Sequence, residues 1–381
     1  MEALSITDNI DQTLTKWTAW LSSAGQVAGL TAAFYLVFTL VALWLHGGDP
    51  LWFVWIGDRF ADLNPAGQIG YDGQFIYYIA SMGIAEGAAH LDIAPYRLQR
   101  IFYPMLVRTL SGGQAILIPW VMLAINFAII VAATWSLAEW FKKQGIWVGF
   151  ALLFGLYVGT FMSYSRDLTE PLALGLVVIG CIALFEDKLW GLIPLALALL
   201  TKETTIIFLG ALMAPPFFAL KWRRLFTLAL SLIPFLLWQL FLFSQYNTIP
   251  LIAGPGIELV PFSGILPYLS ADPAILSSLI FVMLAAVFWL ARAAKWSMTH
   301  WSSPIWWMIV LHGIFVVLLP HNVLEHILHS GRNSMGLIVA TAFALPWLAP
   351  TNRWFWLAFW VAPTFVWLIP VLRWAPWLSE I

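Results

Sequence analysis

Charge is what this sequence has least of. Of its 381 residues, 10% are Asp, Glu, Lys or Arg, where soluble domains carry about a quarter. So few charges cannot clothe a water-facing surface, which excludes an ordinary soluble domain. The formal net charge is −1, so no basic field is available and nucleic acid is excluded as a partner. One cysteine, Cys181, lies inside an apolar run. An intramolecular disulfide and a cysteine-based metal site are both excluded. In place of charge stand hydrocarbon and rings: 61% of residues are hydrophobic and 24 are tryptophan. The expected fold class is an all-α polytopic integral membrane protein, a single transmembrane domain over 1–381. Lipid admits only segments that bond their own backbone, and helices are the default.

The apolar runs predict about 11 spans, at 24–45, 115–139, 147–164, 170–186, 189–201, 204–220, 225–244, 274–291, 303–319, 334–349 and 354–372. The first follows a mixed polar segment and reads as an uncleaved signal anchor. Residues 46–113 form the first extracytoplasmic loop, with short interfacial helices expected at 73–86 and 97–110. Trp44, Trp120, Trp140, Trp147, Trp190, Trp222 and Trp354 end apolar runs, where amphipathic rings settle at the headgroups of membrane lipids. With the N-terminus cytoplasmic in a cell inner (plasma) membrane, Lys142, Lys143, Lys188, Lys221, Arg223 and Arg224 fall in short inside clusters, as the positive-inside rule expects. The strings GYDGQ, APYRLQR, SRDLTEP, TKET and LEHILHSGRN then all face outward.

These strings hold the chemistry. Asp72 precedes an apolar helix and suits an N-cap, yet capping leaves one carboxylate oxygen for other work. Tyr71, Phe75, Tyr77 and Tyr78 offer faces to a sugar ring or an isoprenoid chain. In Ser165–Pro171 the acids and the proline suit a helix start; Arg166 has the wrong sign there unless it meets a partner or ligand. Lys202 and Glu203 can pair, and an ionisable pair so near lipid marks a functional site. Glu325 and His329 are spaced i,i+4 and His326 and His329 i,i+3, so either pair could share a helix face and hold a metal, but no zinc signature matches, and Arg332 as an anion ligand is preferred. The outer face thus offers one carboxylate in an aromatic setting with Arg97, Arg100, Arg166, Lys202 and Arg332. Transfer from a phosphate-activated donor needs this pattern. Cations stabilise the departing phosphate, a carboxylate takes the acceptor's proton, and carboxylates suit an oxocarbenium-like state. The membrane setting puts that phosphate on a lipid.

GYDGQFIYYIA, APYRLQRIFYP, SRDLTEPLALGL and TKET resemble strings of bacterial membrane glycosyltransferases of the GT-C superfamily, in particular the branch related to the GPI mannosyltransferases. The resemblance covers roughly residues 65–210, with Arg332 a looser match. It implies a polyprenyl-phosphate sugar donor, a lipid or glycan acceptor on the extracytoplasmic side and inversion at the anomeric carbon. It makes Asp72 the general base, and Arg97, Arg100, Arg166, Lys202 and Arg332 the donor phosphate ligands. Tyr71, Gln74, Tyr78, Asp167, Glu170 and Glu203 are expected to line the substrate. Many relatives pair acids in the first outer loop; here Asp58, Asp62 and Asp92 are the nearest companions, none adjacent. No sizeable soluble domain is expected after the last helix. No cofactor is demanded, and a divalent cation stays open. The alternatives are a lipid or sugar transporter, which should show internal repeats and midplane charges, and a non-catalytic subunit whose tryptophans also contact membrane protein partners.

Overall fold

A computed structural model describes residues 20–254, 256, 258–268, 276, 278–325 and 327–373. Every regular element among them is a helix, as an apolar medium demands of a backbone that must bond to itself. Five helices are long and apolar enough to cross a membrane: Ala24–Leu45 (α1), Ile118–Lys143, Trp222–Tyr246, Leu279–His300 and Thr351–Leu372. The pair Val148–Gly155 and Val158–Ser165 makes a sixth if the 46° bend between them belongs to one span. Shorter apolar helices fill the other expected positions, at Glu170–Phe185, Leu189–Thr201, Glu203–Phe218, Pro304–Val317 and Met335–Trp347.

The first loop folds into short helices, among them Gly73–Gly87 (α2), Ala94–Leu98 (α3) and Phe102–Ser111 (α4). The single helix expected at 97–110 is therefore two. Pro104 has no N–H to return to the carbonyl four residues earlier, so the helix restarts just before it and Arg100 falls in the break. The first half of α2 is buried against protein, Gly73 to Ile76 and Tyr78 to Ala80 included, and does not lie on an interface. The tryptophans also divide. Trp44, Trp120, Trp190 and Trp222 are exposed, while Trp140 is buried in the core and Trp147 packs on Trp354 with ring centres 4.7 Å apart.

Behind the loop stand Ile118–Lys143 (α5), Val158–Ser165 (α6), Glu170–Phe185 (α7), Leu192–Thr201 (α8) and Ile206–Phe218 (α9). The short helix Ile327–Asn333 (α10) packs on α6. Every residue from 151 to 170 is buried, so α6 and the turn after it form the centre of the bundle. Two glycines set the close approaches that bring the site together. A Cβ on Gly159 would stand 2.3 Å from the Gly331 carbonyl oxygen, and one on Gly73 would stand 2.4 Å from the Arg166 carbonyl oxygen. Small residues at such crossings let backbones meet, here carrying Arg332 and Asp72 toward each other.

Gly73→Ala should therefore lower stability by about 1–3 kcal/mol, the usual cost of overpacking, because only backbone faces the new methyl. Gly29→Ala, with nothing within 4 Å of its Cβ, should melt like the parent. Thermal unfolding of both variants in detergent checks this; equal melting of the two would show that the 73–166 contact is loose.

Candidate active site

Asp72 stands where an N-cap would, but its backbone is already helical (φ −58, ψ −25) and its side chain makes no capping bond. A cap needs the extended conformation that turns the side-chain oxygen back over the first N–H groups. The carboxylate instead meets two guanidiniums: Arg97 Nη2 at 3.1 Å on Oδ1 and Arg332 Nη2 at 2.7 Å on Oδ2. The approach is held by Gln74, which is fully buried. Its Oε1 accepts from the Gly57 N–H and its Nε2 donates to the Ile69 carbonyl. Gln74 thus fastens the loop and is not among the residues that line the hollow beside Asp72.

The remaining charges form a chain around Asp72. Arg97 donates through Nε and Nη2 to both oxygens of Asp92, at 2.8 and 2.7 Å. Arg100 grips Glu203 in the same two-point manner, at 2.8 and 2.7 Å, and donates to Tyr96 Oη. Lys202 donates to Glu170 Oε1 at 2.7 Å, and that oxygen lies 3.9 Å from Arg332 Nε. The expectation of one carboxylate facing several free cations is corrected. Arg97 pairs with Asp92, Arg100 with Glu203, Lys202 with Glu170 and Arg332 with Asp72, because a charge removed from water needs a partner close by. Lys202 and Glu203, neighbours in sequence, each pair elsewhere.

Arg166 takes a different place. It is buried, its guanidinium lies over Trp52 at 4.5 Å and Trp55 at 5.0 Å, and its Nη1 donates to the Ser165 carbonyl. It belongs to a ring stack in which Trp55 covers Tyr71 and Tyr71 meets His329, both with centres 6.0 Å apart. Asp167 is fully buried with a left-handed backbone (φ 47) and accepts from Asn126. Tyr78 is buried beside His90. These side chains shape the wall behind the site and do not border the hollow beside Asp72. Among the described residues, no three metal-ligating side chains come together; His326 lies outside the described residues.

The hollow holds about 360 Å³ counted to its open mouth and is lined by Asp72, Arg97, Arg100, Thr169 and Glu170 on the polar side. Phe75, Ile76, Ile79, Pro104 and Leu168 make the apolar side. The space inside it that water-sized spheres can enter is about 20 Å³, so the hollow is narrow in this structure. Arg97 and Arg100 use Nε and Nη2 on protein oxygens, which leaves Nη1 of each for an anion. Burial alone would raise the Asp72 carboxyl; Arg97 and then Arg332 outweigh it and hold the group well below the usual carboxylate range. Burial pushes the Tyr71 phenol up to about 12, so it stays a neutral ring beneath Arg332.

One residue was not singled out from the sequence. Tyr96 lies under both Arg97 and Arg100, at 5.2 and 4.5 Å; its spacing of one helical turn from Arg100 was the available signal. Asp92 precedes the same short helix and anchors Arg97. Compared with family models, curated proteins and solved structures, the chain matches none.

Proposed function

We propose that this chain is a membrane glycosyltransferase that moves a sugar from a polyprenyl-phosphate donor to an extracytoplasmic acceptor, with inversion and with Asp72 as general base. The observation that carries the reading is the two-sided hollow: the carboxylates of Asp72 and Glu170 and the guanidiniums of Arg97 and Arg100 facing an apolar wall. A phosphate on a long hydrocarbon matches both sides at once. Arg97 and Arg100 are placed to take the phosphate through Nη1, in the fork geometry that suits it. The acceptor hydroxyl gives its proton to Asp72 while its oxygen bonds to the anomeric carbon. The bond from that carbon to the phosphate oxygen breaks, and the electron pair leaves on the phosphate, where the guanidiniums stabilise it. Attack opposite the leaving group inverts the centre.

The finer topology, about 11 spans with the site outside, belongs to the same reading. Helix α7 supports it. Its 16 residues reach about 24 Å and carry Glu170 at the site end. Just past the other end, Glu186 pairs with Lys143 and Lys188, and Asp187 with Arg224. One short helix thus joins two charged belts about 24 Å apart, somewhat less than a hydrocarbon core of ~30 Å, and the basic belt is the one expected inside.

Purified protein incubated with polyprenyl-phosphate sugars and a short-chain glycan acceptor should release polyprenyl phosphate. Binding of the donor without release, across hexosyl and pentosyl donors, would favour a non-catalytic subunit. Flux of the lipid across vesicles without release would favour a transporter.

A further inference from the structure

Arg97 lies between two carboxylates and borders the hollow. Its grip on Asp92 uses two nitrogens at 2.8 and 2.7 Å, while its hold on Asp72 is one contact at 3.1 Å through a nitrogen already shared. Asp72 therefore keeps Arg332 firmly and Arg97 loosely. The charged and titratable groups facing Asp72 are Arg97 from α3, Arg100 in the break beyond it, Arg332 from α10, Glu170 from α7 behind Arg332, and the Tyr71 phenol beside it. A carboxylate so surrounded takes up a proton poorly. An anion entering the hollow meets Arg97 and Arg100, which line it. It adds negative charge beside Asp72 and competes for the loosely held guanidinium. Both effects favour the protonated carboxyl.

Resting on the transferase reading, we propose that Arg97 is shared between Asp72 and the donor phosphate. A seated phosphate draws the guanidinium away, and Asp72 becomes a competent base only with the donor in place. Substrates then bind in order, donor before acceptor. Asp92 is a positioning residue that keeps Arg97 within reach of both anions. The balance of the transfer step is unchanged: the acceptor's proton ends on Asp72 and the electron pair of the broken bond on the phosphate. What the sharing adds is timing, since the base gains strength when there is a donor to receive the nucleophile.

The test uses the whole chain in detergent with two probes, decaprenyl phosphate and neutral decaprenol. Native mass spectrometry reports binding. Infrared titration follows the carboxyl band that disappears in Asp72→Asn. With decaprenyl phosphate bound, that band should titrate at least about one pH unit higher, a tenfold gain in proton affinity, and decaprenol should leave it in place. A bound phosphate lipid with an unmoved band would overturn the sharing and leave the transferase reading standing. An equal shift with decaprenol would overturn it too, since charge would not be the cause. Failure of decaprenyl phosphate to bind would overturn the transferase reading and the sharing with it.

Discussion

Asp72→Asn should lower sugar transfer by about 10²–10⁴-fold, the usual worth of a positioned base, while the protein stays folded and still binds donor. The fold should survive because neither guanidinium is abandoned: Arg97 keeps Asp92 at 2.7 Å and Arg332 keeps Glu170 at 3.9 Å. Donor affinity should rise, since a negative charge beside the phosphate site is gone and Arg97 is freer to turn to it. That opposite movement of rate and binding separates a base from a merely structural acid, whose loss would weaken both. Asp72→Glu keeps the charge but displaces it by a methylene, and a shift of about 1 Å costs on the order of 100-fold. Single-turnover release of polyprenyl phosphate, with donor binding measured separately, reads both quantities. Full transfer by the Asn variant would remove Asp72 from the chemistry.

The membrane class and the gathering of the site were legible for one reason. In a chain so poor in charge, each ionisable side chain next to an apolar run stands out, and the strings GYDGQ, APYRLQR, SRDLTEP, TKET and SGRN each supply a member of the cluster around Asp72. The pairing among them was hidden. Arg332 and Asp72 are 260 positions apart and Arg100 and Glu203 are 103 apart, distances at which no local rule speaks. Where a local rule did speak, it misled twice. An aspartate before a helix suggested a cap, and Lys202 beside Glu203 suggested a pair. In both cases a guanidinium from a remote segment took the carboxylate, through two parallel donors at Glu203 and through single contacts from Arg332 and Arg97 at Asp72. Arg166 shows a further limit. Its sign at a helix start called for an anion, and it found the faces of Trp52 and Trp55, a cation–π contact that spacing alone does not reveal. Its loss should therefore disturb the central turn, contrary to its reading as a phosphate ligand.

The largest stability effect is expected at Glu170 and Lys202. Their side chains are 3% and 8% exposed, so neither can turn to water when its partner is lost. Glu170→Gln should destabilise by about 3–5 kcal/mol, the cost of an uncompensated buried charge, and Lys202→Met should fall in the same range. The double variant should recover most of the loss, because a neutral pair of similar volume leaves no buried charge behind. Lys143 and Glu186 make the contrast. Lys143 is 58% exposed and its partner 21%, and breaking that pair should cost about 0–1 kcal/mol. Denaturation of the three variants and the parent in one detergent gives the coupling energy as a double-mutant cycle. Activity should not follow stability. In Lys202→Met, Glu170 loses its nearest cation and turns to Arg332, now 3.9 Å away. Arg332 is then drawn from Asp72, and transfer should change even where the variant folds. In the double variant Glu170 no longer competes, so Arg332 stays on Asp72 and transfer should return along with the fold. Additive losses across the cycle would mean that the two side chains act independently.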